Sequence, residues 1–275
     1  MATVTAADIK KLREATGAGM TDCKTALVDS DGDYDKAVEF LRIKGLKGVA
    51  KREGRAASNG LVAAVLEGTS RGTMLELNCE TDFVAKGERF QALAATVLAA
   101  AQGSNHIGSI TVDGAPLKDV LDDAGALLGE KIEVRRVVSF DGGSGGHVGL
   151  YLHKTNPDLP PQLGVLVELS SEDPVVAKDL AQHIAAFSPT YVSREEVPEE
   201  VVAKERSIAE ATAREEGKPE AAMSKIVEGR VNGFFKDAVL LEQPFAKDNK
   251  KTVAKVMSEA GVEITGFARF KVGQA

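Results

Sequence analysis

Along the N-terminal stretch the apolar residues recur every three or four positions, the spacing of helices that bury one face. Ile9, Leu12 and Ala15 share a face of a first predicted helix. Ahead of it, Thr5-Ala6-Ala7-Asp8 places a hydroxyl at the N-cap and an acid three positions on. Gly17-Ala18-Gly19 breaks this helix, because glycine takes a positive φ at little cost. A second helix starts near Thr21, with Cys23, Ala26 and Leu27 inward. Asp31-Gly32-Asp33 turns the chain into a third, with Ala37, Val38 and Leu41 inward and Phe40 a further candidate. Three helices this short bury little area, so the unit is marginal on its own. Residues 44–58, rich in Gly, Lys and Arg, read as a tether to the next unit.

From Asn59 the period falls to two. Residues 61–66 and 73–77 are predicted strands around a Gly- and Ser-containing turn. A long alanine-rich helix over 82–101, a helix over 117–128 and a β-branched strand over 132–140 come next. Gly142-Gly143-Ser144-Gly145-Gly146 then reads as a linker. The second core unit repeats the first, with strands at 148–152 and 163–169, a helix at 174–187, and a closing strand at 262–272. The duplication is visible without gaps. The run from Glu76 to Lys86 sets against that from Glu168 to Lys178, and Glu76, Leu77, Glu80, Val84, Ala85 and Lys86 meet identical residues.

Interrupting the second unit, residues 199–216 and 220–231 are helical by composition around a Gly217-Lys218-Pro219 turn, an αα-hairpin. Its apolar positions (Val201, Val202, Ile208, Ala211, Ala222, Ile226 and Val227) are too few for a wide core, so it is expected to project. The predicted class is α+β: an N-terminal three-helix domain (1–54), then a duplicated core of two small antiparallel sheets backed by helices. The core units are 55–141 and 147–193 with 233–275, and 194–232 is the inserted hairpin.

Composition narrows the classes of function. The 275 residues, 43% hydrophobic and 27% charged, suit a soluble chain of two or more compact units. No window approaches the ~18 consecutive apolar residues of a membrane span. Met1-Ala2-Thr3-Val4-Thr5 has neither the basic nor the apolar region of a secretory signal and is not Arg-rich, so the cytoplasm is expected. A net charge of −7 argues against direct nucleic-acid binding, which depends on neutralising phosphates. Cys23 and Cys79 are far apart and read as small apolar thiols, not a disulfide framework or a zinc site.

Most motifs that suggest chemistry fail on context. Asp29 to Asp35 resembles a calcium loop, but its sixth position is Tyr34 and its twelfth Phe40, where Gly and Glu belong. Gly142 to Gly146 fits G-x-S-x-G, with Asp173 and His183 following in hydrolase order; the motif needs a strand before and a helix after, and here a strand comes after it. Gly17-Ala18-Gly19 lacks a preceding strand and has Asp22 in place of the third glycine. No Walker A segment occurs. His106, His147, His153 and His183 lack metal-ligand spacing and read as solvated or capping residues. No cofactor or metal is expected.

Thr81-Asp82-Phe83-Val84 remains. By the repeat, Thr81 matches Asp173 and Asp82 matches Pro174, so Thr81 is the expected N-cap, with Asp82 and Phe83 in the first helical turn. The residues alone favour a core role for Phe83, which shares a helical face with Phe90 and Ala94. Two features pull the other way. Gly87 can end the helix early, and the repeat has the smaller Val175 at the matching place.

Leu12 to Leu27, with its Arg13-Glu14-Ala15-Thr16-Gly17-Ala18-Gly19-Met20 centre, resembles the N-terminal signature of the elongation factor Ts family. Glu76 to Lys86 resembles its second signature. Further matches are Arg135-Arg136, Val227-Glu228-Gly229-Arg230, Gln243-Pro244-Phe245 and Thr265 to Phe270, in family order over nearly the whole chain. The resemblance implies a nucleotide-exchange factor for elongation factor Tu, not an enzyme. It implies that Thr81, Asp82, Phe83 and Val84 form the wedge that enters the partner's GTPase domain and disturbs its Mg²⁺. It further implies a ubiquitin-associated-like N-terminal domain docking through Arg13, Gly19, Met20 and Lys24, and a contact of His153 with the partner's third domain. The hairpin is implied as a homodimer or partner contact. Several relatives continue past the place of Gly273-Gln274-Ala275 into a helical module, whose contacts are not expected here. Two rivals stand beside this: a non-catalytic adaptor with a ubiquitin-associated-like domain, and a Ser144 hydrolase.

Overall fold

The structure, a computed structural model, describes residues 4–16 and 18–274. Gly17, expected to break the first helix, lies outside the described residues, as do residues 1–3 and 275 of the expected domains. The chain opens with α1 (Ala6–Thr16), α2 (Met20–Asp29) and α3 (Tyr34–Arg52). Next come β1 (Asn59–Glu67), β2 (Arg71–Cys79), α4 (Asp82–Lys86), α5 (Glu88–Ala101), a small hairpin of β3 (Thr111–Val112) and β4 (Ala115–Pro116), α6 (Leu117–Leu128) and β5 (Glu133–Asp141). The second half runs β6 (His147–His153), β7 (Leu163–Leu169), α7 (Pro174–Phe187), α8 (Glu199–Glu215), α9 (Met223–Ala238), a hairpin of β8 (Pro244–Phe245) and β9 (Asp248–Thr252), α10 (Val253–Ala260) and β10 (Ile264–Lys271). This is a mixed fold of helices and small antiparallel sheets, the α+β class.

Local chemistry sets the first helices. The Thr5 amide and hydroxyl both donate to Asp8 Oδ2 (3.0 and 2.6 Å), and the Asp8 amide donates back to Thr5 Oγ1 at 3.2 Å. These bonds hold the Asp8 carboxyl below its ordinary pKa. Asp33 caps α3 by accepting the Lys36 amide at 3.1 Å, so this acid of the calcium-like run serves as a cap. Leu12, Cys23, Ala26, Leu27, Ala37 and Leu41 close the small core. Ala15 and Phe40, candidates for that core, are exposed. Gly19 sits at φ −61°, in extended backbone open to any residue, as the N-cap of α2.

The expected tether at 44–58 is largely helix, since α3 continues to Arg52. The reason is packing against α6. A Cβ added at Gly45 would lie 2.6 Å from Ala126 Cβ, so glycine here permits a close approach of two helices. Arg42 pairs with Asp123 through two bonds (Nε to Oδ1 3.0 Å, Nη2 to Oδ2 2.6 Å). Arg52 Nη1 donates to Gly125 O at 3.3 Å. What reads as linker composition is the end of a helix docked on α6.

Strands order β1-β2-β5 in one sheet and β10-β7-β6 in the other, all antiparallel, so each sheet centres on the second strand of its unit. The central strands are buried on both faces and alternate their partners. Leu75, Leu77 and Cys79 of β2 face the core with α5 and α6, while Met74 faces the second sheet. Val165, Val167 and Leu169 of β7 likewise face α7 and α10, and Leu166 faces the first sheet. The sheets therefore pack face to face with helices outside. Their approach is close at Gly164, where a Cβ would meet Val62 Cγ1 at 2.6 Å and Met74 Sδ at 2.7 Å.

Three other segments depart from the expected pattern. Gly142 to Gly146 is a bonded turn between β5 and β6: the Gly142 amide donates to Ser70 O at 2.9 Å, and Gly146 is buried. The helical hairpin has a core of its own, built by Ala209, Ala213, Met223, Val227, Val231 and Phe235. Ile208 and Ala211, expected inside, lie outside that core, with Ile208 48% exposed. Arg194, stacked 4.2 Å from the Phe235 ring centroid and paired with Glu242 (Nη2 to Oε2 2.7 Å), holds the hairpin's base. Finally, α9 runs on to Ala238, past the expected end near 231.

Candidate functional site

The first sheet hands the chain from β2 to α4 through Glu80 and Thr81. Thr81 is the N-cap, with extended backbone (φ −125°, ψ 156°) and a side chain that accepts the Val84 amide at 3.4 Å. The single helical turn stops at Gly87 (φ −67°, ψ 136°), whose amide donates to Val84 O at 2.9 Å and whose carbonyl starts α5. The long helix expected over 82–101 is thus two helices, and the break decides the fate of the aromatic ring. Phe90 is buried at 0% exposure and Ala94 at 2%, but Phe83 is 81% exposed. The core role for Phe83 is overturned.

The second unit repeats this arrangement. Asp173 caps α7 by accepting the Val175 and Val176 amides at 3.1 and 2.9 Å. Val175, matching Phe83, is exposed, and Ala177, matching Ala85, is fully buried like it. An outward side chain at this position is a property of the junction, and the first unit places a phenyl ring on it. Val84 turns inward against the first core. Asp82 lies half-exposed, its Oδ2 3.0 Å from Lys86 Nζ one turn on. A pair this exposed holds its partners weakly and is easily given up.

Behind the turn stands a clamp of two carboxylates. Glu130 lies just past Gly129, the left-handed C-cap of α6 (φ 78°). Its Oε2 accepts the Glu80 and Thr81 amides, each at 3.0 Å, and its Oε1 accepts the Thr81 hydroxyl at 2.5 Å. Glu80 answers in kind: its Oε1 accepts the Lys131 amide at 2.8 Å, and Arg55 Nη1 stands 3.2 Å from its Oε2. The Lys131 amide, with the Arg55 guanidinium, holds the Glu80 carboxyl below its ordinary pKa. Asn59 Nδ2 adds a bond to Glu80 O at 2.8 Å. Sequence reasoning missed Glu130 and Arg55, because neither carries a local signal: these contacts join residues 25 to 51 positions apart.

The other candidate residues are dispersed. Arg13 lies on α1, Gly19 at the N-cap of α2, and Met20 and Lys24 one turn apart on α2, elements other than the wedge's α4, and Met20 is 60% exposed. His153 ends β6 at the root of the loop to β7, exposed, with its Nδ1 3.0 Å from the Tyr151 hydroxyl. The hydrolase arrangement has no working parts. His183, expected to be solvated or capping, is buried; its Nδ1 accepts the Ala246 amide at 3.2 Å, which leaves Nε2–H to donate to Gln243 Oε1 at 2.8 Å. Burial pushes its pKa down against the opposing pull of Gln243. Asp173 is taken up by its cap, and Ser144 lies on the exposed turn. His147 is buried as well, contrary to the solvated reading.

Fold and site together define a class of protein that offers a braced aromatic tip to its surroundings. The sequence model described as Elongation factor TS matches residues 80–274. Curated relatives named Elongation factor Ts are similar over their whole length. That of Acidothermus cellulolyticus is 58% identical over all of both chains, and that of Thermobifida fusca 57% over all of both. That of Streptomyces griseus is 59% identical over 99% of this chain and all of its own. The chain belongs to the elongation factor Ts family, and its function is that of a translation elongation factor. No helix among the described residues is long and apolar enough to cross a membrane.

Proposed function

We propose that the chain is a non-enzymatic, cytoplasmic exchange factor that speeds GDP release from elongation factor Tu, with Asp82 and Phe83 as its working tip. The observation that carries this is the Phe83 ring, 81% exposed on a turn fixed at both ends. An exposed ring is unused by its own fold, so its burial is available for a partner, about 1.5–3 kcal/mol when complete. Coupling between exchange factor and nucleotide is reciprocal: each weakens the other's hold on Tu by the same factor. At 1.4 kcal/mol per tenfold, the ring accounts for about one to two decades of that coupling. The Asp82 carboxylate, exchanging its weak pairing with Lys86 for the partner's site, disturbs the Mg²⁺ that neutralises the GDP phosphates.

Docking falls to the dispersed residues. The three-helix domain engages the GTPase domain through Arg13, Gly19, Met20 and Lys24, and His153 reaches the partner's third domain. Support for this lies in their placement on separate elements, which suits a broad surface.

Stopped-flow release of a fluorescent GDP from Tu tests the proposal. Phe83→Ala lowers the saturating release rate by at least about tenfold, while the unfolding free energy changes by no more than a neutral surface substitution allows, about ±0.5 kcal/mol. A full rate in Phe83→Ala, or a melting loss as large as the loss of exchange, overturns it.

A further inference from the structure

We infer that Glu130, with Glu80 as its reciprocal partner, is a positioning residue for exchange: it holds the Phe83-bearing turn in its outward attitude before the partner arrives. This deepens the proposed function and rests on Phe83 being the working tip.

The donors of the junction are the starting point. The amides of Glu80 and Thr81 lie at the end of β2 and the start of a one-turn helix, so neither has a helix partner upstream. Glu130 accepts both through one oxygen and takes the Thr81 hydroxyl with the other. Hydrogen bonds to a carboxylate are about twice as strong as neutral ones, and three meet on this one group. The hydroxyl bond fixes the Thr81 side chain while that side chain accepts the Val84 amide. Glu130 thereby orients the cap, the cap orients the turn, and the turn orients Phe83. Glu80 closes the circuit by accepting the Lys131 amide, so Glu130 grips the Glu80 amide and Glu80 grips the amide next to Glu130.

A five-residue helix cannot hold its own shape in water, because nucleating a turn costs more than its few bonds return. Phe83, 81% exposed, contributes little packing to fix it. Val84 and Ala85 seat the turn on the first core, and the junction bonds fix the attitude in which it presents the ring. A wedge must arrive in one attitude, since a misplacement of about 1 Å can cost about a hundredfold in a positioned encounter. The second unit gains its order differently. Asp173 caps α7 directly, and fourteen residues of helix come after it. There, the added grip is not needed.

The test separates attitude from affinity. GDP release is measured against concentration of the full-length factor, giving a saturating rate and a half-saturating concentration, well below the melting temperature. Glu130→Ala is expected to lower the saturating rate about tenfold and to change the half-saturating concentration less than about twofold. Amide hydrogen exchange at Glu80 and Thr81 speeds up in the free protein by about tenfold or more. Glu130→Gln, whose carbonyl accepts both amides and whose amide group can donate to Thr81 Oγ1, retains the rate to within about threefold. A merely structural role would lower the melting temperature and leave the rate per folded molecule unchanged.

An unchanged saturating rate in Glu130→Ala overturns the inference, and so does an equal loss in Glu130→Gln, since charge and not geometry would then matter. Should Glu130→Ala not fold, Glu80→Ala loosens the same clamp from the other side. It is expected to give the same split, and an unchanged rate there is equally fatal. Phe83→Ala is assayed alongside. If it keeps full rate, the working-tip reading fails; if it slows exchange while the clamp variants do not, only the clamp fails.

Discussion

His183 and Glu130 are both polar groups with every bond accounted for, yet the sequence offered His183 as a hydrolase component and showed no sign of Glu130. His183 lies fully buried between Phe187 and Phe245, with ring centroids 4.7 and 5.8 Å away, and both its nitrogens are bonded. The neutral ring is the form this site accepts, because a second N–H would face the Ala246 amide donor. Burial holds its pKa in the folded chain below the ordinary 6.5, with Gln243 pulling the other way. Above pH 6.5 both folded and unfolded chains carry a neutral ring and this contribution is whole. As pH falls below 6.5 the unfolded chain takes up the proton first, and stability is lost until the folded value is passed. Chemical denaturation between pH 7.5 and about 5.5 should show a decline for the natural chain that His183→Gln flattens. Identical slopes for the two would remove His183 from the account.

At the scale of elements, caps and repeats were legible while contacts between elements were not. The Thr5 capping box, the caps by Thr81 and Asp173, and the repeated strand-to-helix junction of the two units stem from local residue chemistry. The length of α3 did not, because its last turns are held by Asp123, Gly125 and Ala126 of α6, some 80 positions away. The exposure of Phe83 was half legible: Gly87 and the smaller Val175 pointed outward, while helical spacing with Phe90 pointed inward. The geometry turned on one glycine. Gly45 carries the matching consequence for docking, as any side chain there drives α3 from α6. Gly45→Val is expected to raise the half-saturating concentration for GDP release about tenfold, by releasing the three-helix domain from its seat, with the saturating rate held within about twofold. An unchanged half-saturating concentration would show that the seat does not govern docking.

Across the whole molecule the wedge is only as firm as the sandwich behind it, and an ion pair within the first sheet carries further bonds that tie the end of β10 to it. Glu76, fully buried on β2, accepts Arg136 of β5 through Nε (2.8 Å) and Nη2 (2.5 Å). Its other oxygen accepts the Asn78 side chain and the Gly273 amide, each at 3.1 Å. Arg136 in turn lies 4.5 Å from the Phe270 ring centroid and donates to Lys271 O at 3.1 Å, so the pair seats the end of β10 on the first sheet. Glu168, the match of Glu76 in the repeat, instead accepts the exposed Thr265 hydroxyl. The duplicated glutamates have thus diverged, one to an edge bond and the other to a lock between units. Removing one partner of a buried pair leaves the other uncompensated, a cost of about 3 kcal/mol here. Glu76→Ala should therefore lower the unfolding free energy by that amount in one transition with unchanged denaturant slope, since both sheets share the core of Val62, Met74, Val148, Leu166 and Phe270. Thr265→Val should move it by less than about 1 kcal/mol. Two separate transitions, or equal losses from the two variants, would mean that the sheets do not fold as a single support for the tip they carry.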